Sequence, residues 1–510
     1  MFSSVTISRR RFMEMAVASG VATTALSVNP TVAQGDGNFV YADAAEPADL
    51  SPWMRGVGSF SARSIYETLA ETRMTLNDDD TVTIDMVPVL AENWERIDEL
   101  TTRFTLRQGV TFSNGEASNA DAVKASWDVL ADADLAAEFG ANSLLSRMGG
   151  CEVVDEFTVD ISSQQPDYEY LGYFLRLGFV ILPPQKLADD GIGSFGEDPV
   201  GTGPYKLQNW NRGSELVLER NTDYWNTDFP DTYNTITYIY RPEAAVRAQT
   251  IASGEADFAF NIGAEQAFTL DNPVIGGGFQ STSIRINNTI EPTNNLDLRL
   301  AINHAIDRQS ICDAIFQGTA TPISFFAFQP VDVEPYAYDP ELATQLISDA
   351  GFSGIELEMV YGEGRVPEED QLAELYKAYL EAVGLVINLR KVEPGQYDDI
   401  GGQEFAAQPP LYMETTSSGN YGEIVGGLMD KYGSNGSGAF ADEEFDARFA
   451  ALALLEGDER QAELQSIAED LHAVAPRAWV AGIQQVHGVS ERVNPTLPLN
   501  SWILVQDLMG

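Results

Sequence analysis

The sequence predicts an α/β protein with room for two or three domain-sized cores. Two observations carry that prediction. Apolar stretches with period two alternate along the chain with stretches of helical period, and the chain runs to 510 residues. With 44% apolar residues, the composition is that of a globular chain and not a disordered one.

The clearest unit is βαβ, from Ile355 to Glu393. Ile355, Leu357 and Met359 alternate on a strand. Leu372, Leu375, Tyr376, Tyr379, Leu380 and Val383 form a helical stripe that Gly384 stops. Leu385, Ile387 and Leu389 alternate on the next strand. Earlier strands are expected at Phe39–Tyr41, Thr81–Leu90, Thr102–Leu106, Glu152–Ser162, Leu216–Glu219, Ile236–Tyr240 and Ala256–Phe260. Helices are expected over Asn119–Leu130, Arg247–Ser253 and Glu443–Val474. Pro183-Pro184 opens a further short helix that ends at Gly191. Ser417–Gly438, rich in Gly, Ser and Asn, reads as a surface loop or a cleft wall. Trp479–Ile483 and Val486–Val489 read as a strand passing from one lobe to another.

The N-terminus reads as an address. Ser8-Arg9-Arg10-Arg11-Phe12 precedes about 14 weakly apolar residues, too few for a bilayer span of roughly 20, and small residues follow at Thr31-Val32-Ala33. The pattern is that of a twin-arginine signal peptide over residues 1–33. A soluble periplasmic protein is expected, and no cysteine near the cleavage point offers a lipid anchor.

The formal net charge is −47, and only six residues are lysine. Such a chain repels nucleic acid and anionic membrane. Its acidity fits either attraction of a cationic ligand or adaptation to salt. Cys151 and Cys312 have no metal or redox spacing, and His304, His472 and His487 are too scattered for a metal cage, so no cofactor or metal is expected. Gly191-Ile192-Gly193-Ser194-Phe195-Gly196 matches a dinucleotide fingerprint but follows a helix, which removes the phosphate-cradling geometry. No P-loop lysine motif, H-E-x-x-H or G-x-S-x-G occurs.

Several stretches, in order, resemble the family 5 solute-binding proteins of ABC importers, the dipeptide, oligopeptide and nickel binders. They are Gly109-Val110-Thr111-Phe112-Ser113-Asn114-Gly115, Pro199-Val200-Gly201-Thr202-Gly203-Pro204-Tyr205 and Arg220-Asn221-Thr222-Asp223-Tyr224-Trp225. Ser253-Gly254-Glu255-Ala256-Asp257, Ala305-Ile306-Asp307-Arg308 and Tyr338-Asp339-Pro340 continue the series. Asp297 suits a helix N-cap.

The resemblance implies a two-lobed periplasmic-binding-protein fold with a hinge and an extra subdomain on lobe one. Lobe one would span 36–285, with about 58–196 inserted. Lobe two would span 286–483, and 484–510 would return to lobe one. It also implies a non-enzymatic receptor, expected to be a monomer. A small polar organic solute, possibly a peptide, would bind between the lobes and pass to membrane permease subunits served by a separate ATPase. A secreted hydrolase on a similar body is the alternative.

Peptide binders of the family commonly carry W-x-x-D-[YF]-x-D-P in lobe two, where this chain has Pro410-Leu411-Tyr412-Met413-Glu414-Thr415-Thr416-Ser417. That departure puts an ordinary peptide ligand in doubt. Candidate ligand contacts are Glu414 for a cationic group, Arg365 for a carboxylate, Trp53, Tyr412 and Tyr421 as flat walls, and Asn261. Glu423 is a weaker candidate for the cationic group.

Overall fold

The computed structural model describes residues 5–8, 37–52, 60–76, 81–132, 134–135, 147–164, 166, 179–267, 269–270, 273–325, 331–362, 368–417, 424–455, 457–493, 495, 497 and 505–508. Eleven strands form one continuous sheet. They are β1 (Asn38–Asp43), β2 (Tyr205–Asn211), β3 (Glu215–Arg220), β4 (Thr235–Tyr240), β5 (Phe258–Ala259), β6 (Pro273–Ile286), β7 (Ala320–Pro322), β8 (Glu356–Gly362), β9 (Val386–Val392), β10 (Leu411–Ser417) and β11 (Arg477–Val489). The order is β9-β8-β10-β6-β11-β5-β1-β4-β3-β2, with β7 on β11.

Two strands join two bodies. One set of buried residues gathers Phe39, Tyr41, Tyr205, Leu218, Tyr238, Phe258 and Val489. A second gathers Ile284, Ile286, Leu357, Met359, Leu372, Tyr376, Leu411 and Val480. Among the described residues, only β6 and β11 belong to both bodies. Their pairing runs Val274↔His487 and Ile275↔Val486, then breaks and resumes at Phe279↔Gln484. Gly276, Gly277 and Gly278 therefore bulge opposite the single residue Gln485. Gly276 takes φ +145°, a value that only glycine adopts readily. The expected lobe boundary at 285/286 thus lies inside β6. The chain changes lobe at the glycine bulge, because Ile284 and Ile286 already face the second core.

Strand direction places the cleft. β1, β4 and β5 run with the part of β6 that leaves lobe one, since β1 is parallel to β4 and β5, and β5 is antiparallel to β11. In lobe two, β8 and β10 run against β6, back toward lobe one. The carboxyl ends of the strands in both lobes therefore face each other across the hinge, the position where open α/β sheets take ligands. One hydrogen bond already crosses it. Ala264 N–H, in the short helix α1 (Ala264–Ala267) of lobe one, donates to Glu368 Oε1 of lobe two at 3.3 Å.

The motifs that carried the resemblance explain themselves as packing. A Cβ on Gly201 would lie 2.1 Å from Ile65 O, and one on Gly203 would lie 2.5 Å from Ser64 O. Both glycines are required by the close approach of the helix Phe60–Ile65, whose Ile65 O accepts from Gly203 N–H at 2.8 Å. Tyr224 Oη and Trp225 Nε1 donate to the buried Glu67 at 2.6 and 2.8 Å. Asp257 accepts from Val40 N–H at 2.9 Å and pairs with Arg492 at 2.5 Å, tying β1 to the returning tail. Arg308, fully inside, donates to Trp479 O at 2.6 Å and Asn303 O at 2.8 Å.

The βαβ unit is present as read: β8, the helix α2 (Glu369–Ala382) and a parallel β9. Other expectations change. Glu152–Ser162 is not one strand but a hairpin, Met148–Asp155 and Thr158–Ser163, turned where Asp155 Oδ1 accepts from Phe157 N–H. The helix Leu296–His304 is capped by Asn295, whose side chain accepts from Leu298 N–H, and Asp297 sits in its first turn instead. Ser417–Gly438 contains a helix, α3 (Ile424–Tyr432), because Ile424, Val425, Leu428 and Tyr432 share a buried face. Glu443–Val474 is two helices, Glu443–Leu452 and Gly457–Val474. The twin-arginine stretch lies outside the described residues. Val5–Ser8, within the expected signal peptide, pairs with Thr81–Ile84. Both cysteines are free and buried.

Candidate functional site

The lobe-one wall of the cleft is built by β1, β4 and β5. Alternation along β1 sends Phe39, Tyr41 and Asp43 to one face. Register sets Tyr41 beside Tyr238 and Phe258, and Asp43 beside Tyr240. Phe60 packs its ring 5.0 Å from Tyr41 and 4.9 Å from Phe260, centroid to centroid. The result is an aromatic floor ending in a carboxylate.

Asp43 is half-buried. Its Oδ1 accepts from Ala44 N–H at 2.7 Å, and no ion pair reaches it among the described residues. Burial pushes its carboxyl up to about 6, opposed by the Ala44 N–H and by the positive charge of Arg247. Arg247 itself is spent on backbone: it donates to the carbonyl oxygens of Phe260, Arg241, Pro242 and Asn261 at 2.5–2.8 Å. The hydroxyls of Tyr41 and Tyr240 are buried with no hydrogen-bond partner among the described residues.

Asn261, an expected contact, follows β5 with φ +44°. Its N–H donates to His487 Nδ1 at 3.2 Å, and its carbonyl oxygen accepts from Arg247. His487 Nε2, which must then carry the proton, donates to Gly276 O at 2.9 Å. Burial lowers the His487 pKa to about 4, so the ring is neutral.

Two expected contacts fall inside lobe two instead. Glu414 is 7% exposed. It is paired with Lys431 at 2.5 Å and with Arg477. Burial alone would raise its pKa, but Arg477, Lys431 and Arg285 outweigh that and hold it well below the usual carboxylate value. Its charge is committed to this internal cluster, so it is not free to hold a ligand's cationic group. Tyr412 is buried too. Its hydroxyl donates to Tyr397 O at 2.5 Å, and Arg285 lies over its ring at 4.1 Å. Both residues point away from the second core, toward α3 and the helix Pro394–Gly401, because β10 alternates and Leu411 and Met413 take the core side. Trp53, Arg365 and Tyr421, with Glu423, lie outside the described residues.

Sequence reasoning missed Asp43, Tyr41 and Tyr240. The signal is local: Phe39-Val40-Tyr41 has the pattern of a strand, and Asp43 stands just beyond it, where open α/β sheets take ligands. A separate cavity of about 560 Å³, lined by Glu358, Arg390, Asp399, Gln403 and Gln408 among others, lies wholly within lobe two. No group of acidic, histidine or cysteine side chains suited to a metal ion occurs among the described residues.

Residues 85–437 match the model of the bacterial extracellular solute-binding proteins, family 5. The chain belongs to that family.

Similar family 5 relatives include the glutathione-binding protein GsiB of Salmonella typhi, 30% identical over 318 residues. That match covers 60% of this chain and 61% of the relative, so the chain spans less than two thirds of that protein. The GsiB of Pectobacterium atrosepticum is 27% identical over 403 residues, covering 77% and 75%. Among solved structures, NikA from Brucella suis in complex with Fe(III)-EDTA superposes with TM-score 0.79 at 23% identity, covering 92% of this chain and 99% of that one. A dipeptide-binding protein from Pseudoalteromonas sp. SM9913 in complex with Met-Leu gives TM-score 0.78 at 20% identity, with the same coverage. The two-lobed family 5 fold is thereby established. Among the described residues no helix is long and apolar enough to cross a membrane.

Proposed function

We propose that this chain is the periplasmic receptor of an ABC importer, taking a small polar, peptide-like organic solute in the interlobe cleft and handing it to a membrane permease driven by a separate ATPase. The observation that carries the reading is the hinge. Two antiparallel strands with a triple-glycine bulge hold the strand ends of both lobes face to face, with Glu368 reaching across to Ala264. A body that opens and closes on two strands is suited to capture and release. Family membership favours the receptor over a secreted hydrolase. The GsiB relatives bind glutathione by name, which supports a peptide-like class. Asn261 stands on the lobe-one wall of this cleft. In sequence, Arg365 follows β8 and Tyr421 follows β10.

The test is retention and closure. Freshly purified protein in native mass spectrometry should carry a small molecule that is unchanged with time. Small-angle scattering should give a smaller radius of gyration with that molecule than without it, on a monomer. Glu368→Ala should weaken compaction, since it removes a hydrogen bond worth roughly 0.5–1.5 kcal/mol to the closed form. Turnover of the molecule, or tight binding with no compaction, would count against the receptor.

A further inference from the structure

The aromatic floor around Asp43 has the composition of a cation site and no cation in it from the protein. A half-buried carboxylate stands at the carboxyl end of β1, on the cleft side, with no ion pair among the described residues. The nearest guanidinium, Arg247, has its N–H groups on four backbone carbonyl oxygens. Tyr41, 1% exposed, and Tyr240 keep hydroxyls with no partner among the described residues beside that carboxylate. Phe60 and Phe260 add two rings packed edge to face, their centroids 4.9 Å apart.

Rings attract cations through their quadrupoles, and a carboxylate in partly desolvated surroundings gains most from an opposite charge that arrives with the ligand. Free hydroxyl oxygens can accept from an ammonium N–H. The rest of the molecule agrees, since a net charge of −47 concentrates cations near any opening.

We propose that Asp43, with Tyr41, Tyr240, Phe60 and Phe260, holds a positively charged nitrogen of the transported solute, so that the ligand is an amine or quaternary ammonium compound. This rests on the receptor reading and names the charge that the cleft selects. It moves the cation-holding role from Glu414, whose charge is neutralised inside lobe two, to the opposite lobe.

Burial pushes the Asp43 carboxyl up to about 6, so the site should be anionic above that pH and lose its charge below it. The groups around it are Tyr41 on its own strand, Tyr238 and Tyr240 on β4, Arg247 on the helix Ala244–Ala252, and, beyond Tyr240, Glu46 and Arg212. His487 on β11 faces Phe260 and is neutral down to about 4. None of the tyrosines titrates near 6, since burial raises all three.

The experiment uses the whole chain and three matched probe pairs, titrated by calorimetry at pH 8: Ala-Ala against N-acetyl-Ala-Ala, choline against 3,3-dimethylbutanol, and putrescine against 1,4-butanediol. The charged member of at least one pair should bind, its uncharged partner about 30-fold more weakly or worse, consistent with loss of a desolvated charge partner. Asp43→Asn should lower that affinity by a similar factor, and Tyr240→Phe by a few-fold. Affinity of the parent should fall steadily as the pH drops below about 6, while Asp43→Asn should show no such dependence, which a merely structural aspartate would not produce. Equal binding within every pair, or an Asp43→Asn protein that binds like the parent, overturns the cation assignment and leaves the receptor reading standing. If no probe binds and the molecule retained on purification lacks a cationic nitrogen, the assignment is likewise overturned. If no probe binds and no molecule is retained at all, both readings fall.

Discussion

His487 on one hinge strand donates through Nε2 to the carbonyl oxygen of Gly276 in the bulge of the other, at 2.9 Å, while its Nδ1 accepts from Asn261 N–H. One neutral imidazole thus joins both crossing strands to the lobe-one wall of the cleft. His487→Phe keeps the packing against Phe258 and Phe260 but leaves Gly276 O and Asn261 N–H unpaired, a cost of about 1–3 kcal/mol.

The same histidine should make the fold acid-sensitive in a defined window. Its folded pKa, about 4, lies below the ordinary 6.5, so the unfolded chain binds the proton more readily between those values. The stability due to the neutral ring is complete above pH 6.5 and is lost as pH falls toward 4, by at most roughly 3 kcal/mol at 1.36 kcal/mol per unit. Urea denaturation of parent and His487→Phe at pH 7.5 and 4.5 should show the gap between them shrinking at the lower pH. A constant gap would mean that the ring is not held neutral.

Glu414→Gln should destabilise lobe two and not primarily weaken ligand binding. The substitution leaves Arg477 and Lys431 without the carboxylate they share, and removing one partner of a buried pair costs about 3–5 kcal/mol. Tyr412→Phe, which loses one hydrogen bond to Tyr397 O, should cost only about 1 kcal/mol. Urea midpoints at pH 7.5 decide it. Below the unfolded carboxylate pKa the Glu414→Gln penalty should diminish, because a depressed pKa gives stability that disappears as pH falls.

Export through the twin-arginine route, proposed from Ser8-Arg9-Arg10-Arg11-Phe12, is checked by replacing Arg9 and Arg10 with lysine. The charge is kept and the guanidinium geometry is lost. Precursor should accumulate in the cytoplasm, by immunoblot of fractionated cells. Normal export would assign the chain to the general secretory route.

Much of the architecture was legible because it depends on local pattern. The period-two runs at Leu357–Met359 and Ile387–Leu389, the stripe Leu372–Tyr376–Leu380 and the stop at Gly384 are neighbours in sequence, and each forms what its spacing requires. The family motifs were legible too, and they report packing: Gly201 and Gly203 are fixed by backbone contact with Ile65 and Ser64, and Asp257 by its bonds to Val40 and Arg492.

The hinge and the site were decided by contacts between distant segments. Gly276-Gly277-Gly278 is visible as a run of glycines, but its meaning depends on standing opposite Gln485, more than 200 residues away. Glu414 and Asp43 are both single acids in or ending a strand, and in an acidic chain nothing local separates them. Glu414 lies beside Arg477 and Lys431, which cancel its charge. Asp43 lies beside tyrosines and an arginine already spent on carbonyl oxygens, which leave its charge available. The sequence alone determined the elements with an unbroken side-chain period, such as the βαβ unit of β8, α2 and β9, but not the turn at Asp155 or the helix α3. Tertiary structure decided which carboxylate is paired and which is left without an ion pair among the described residues, since that follows from which opposite charges the fold brings within reach.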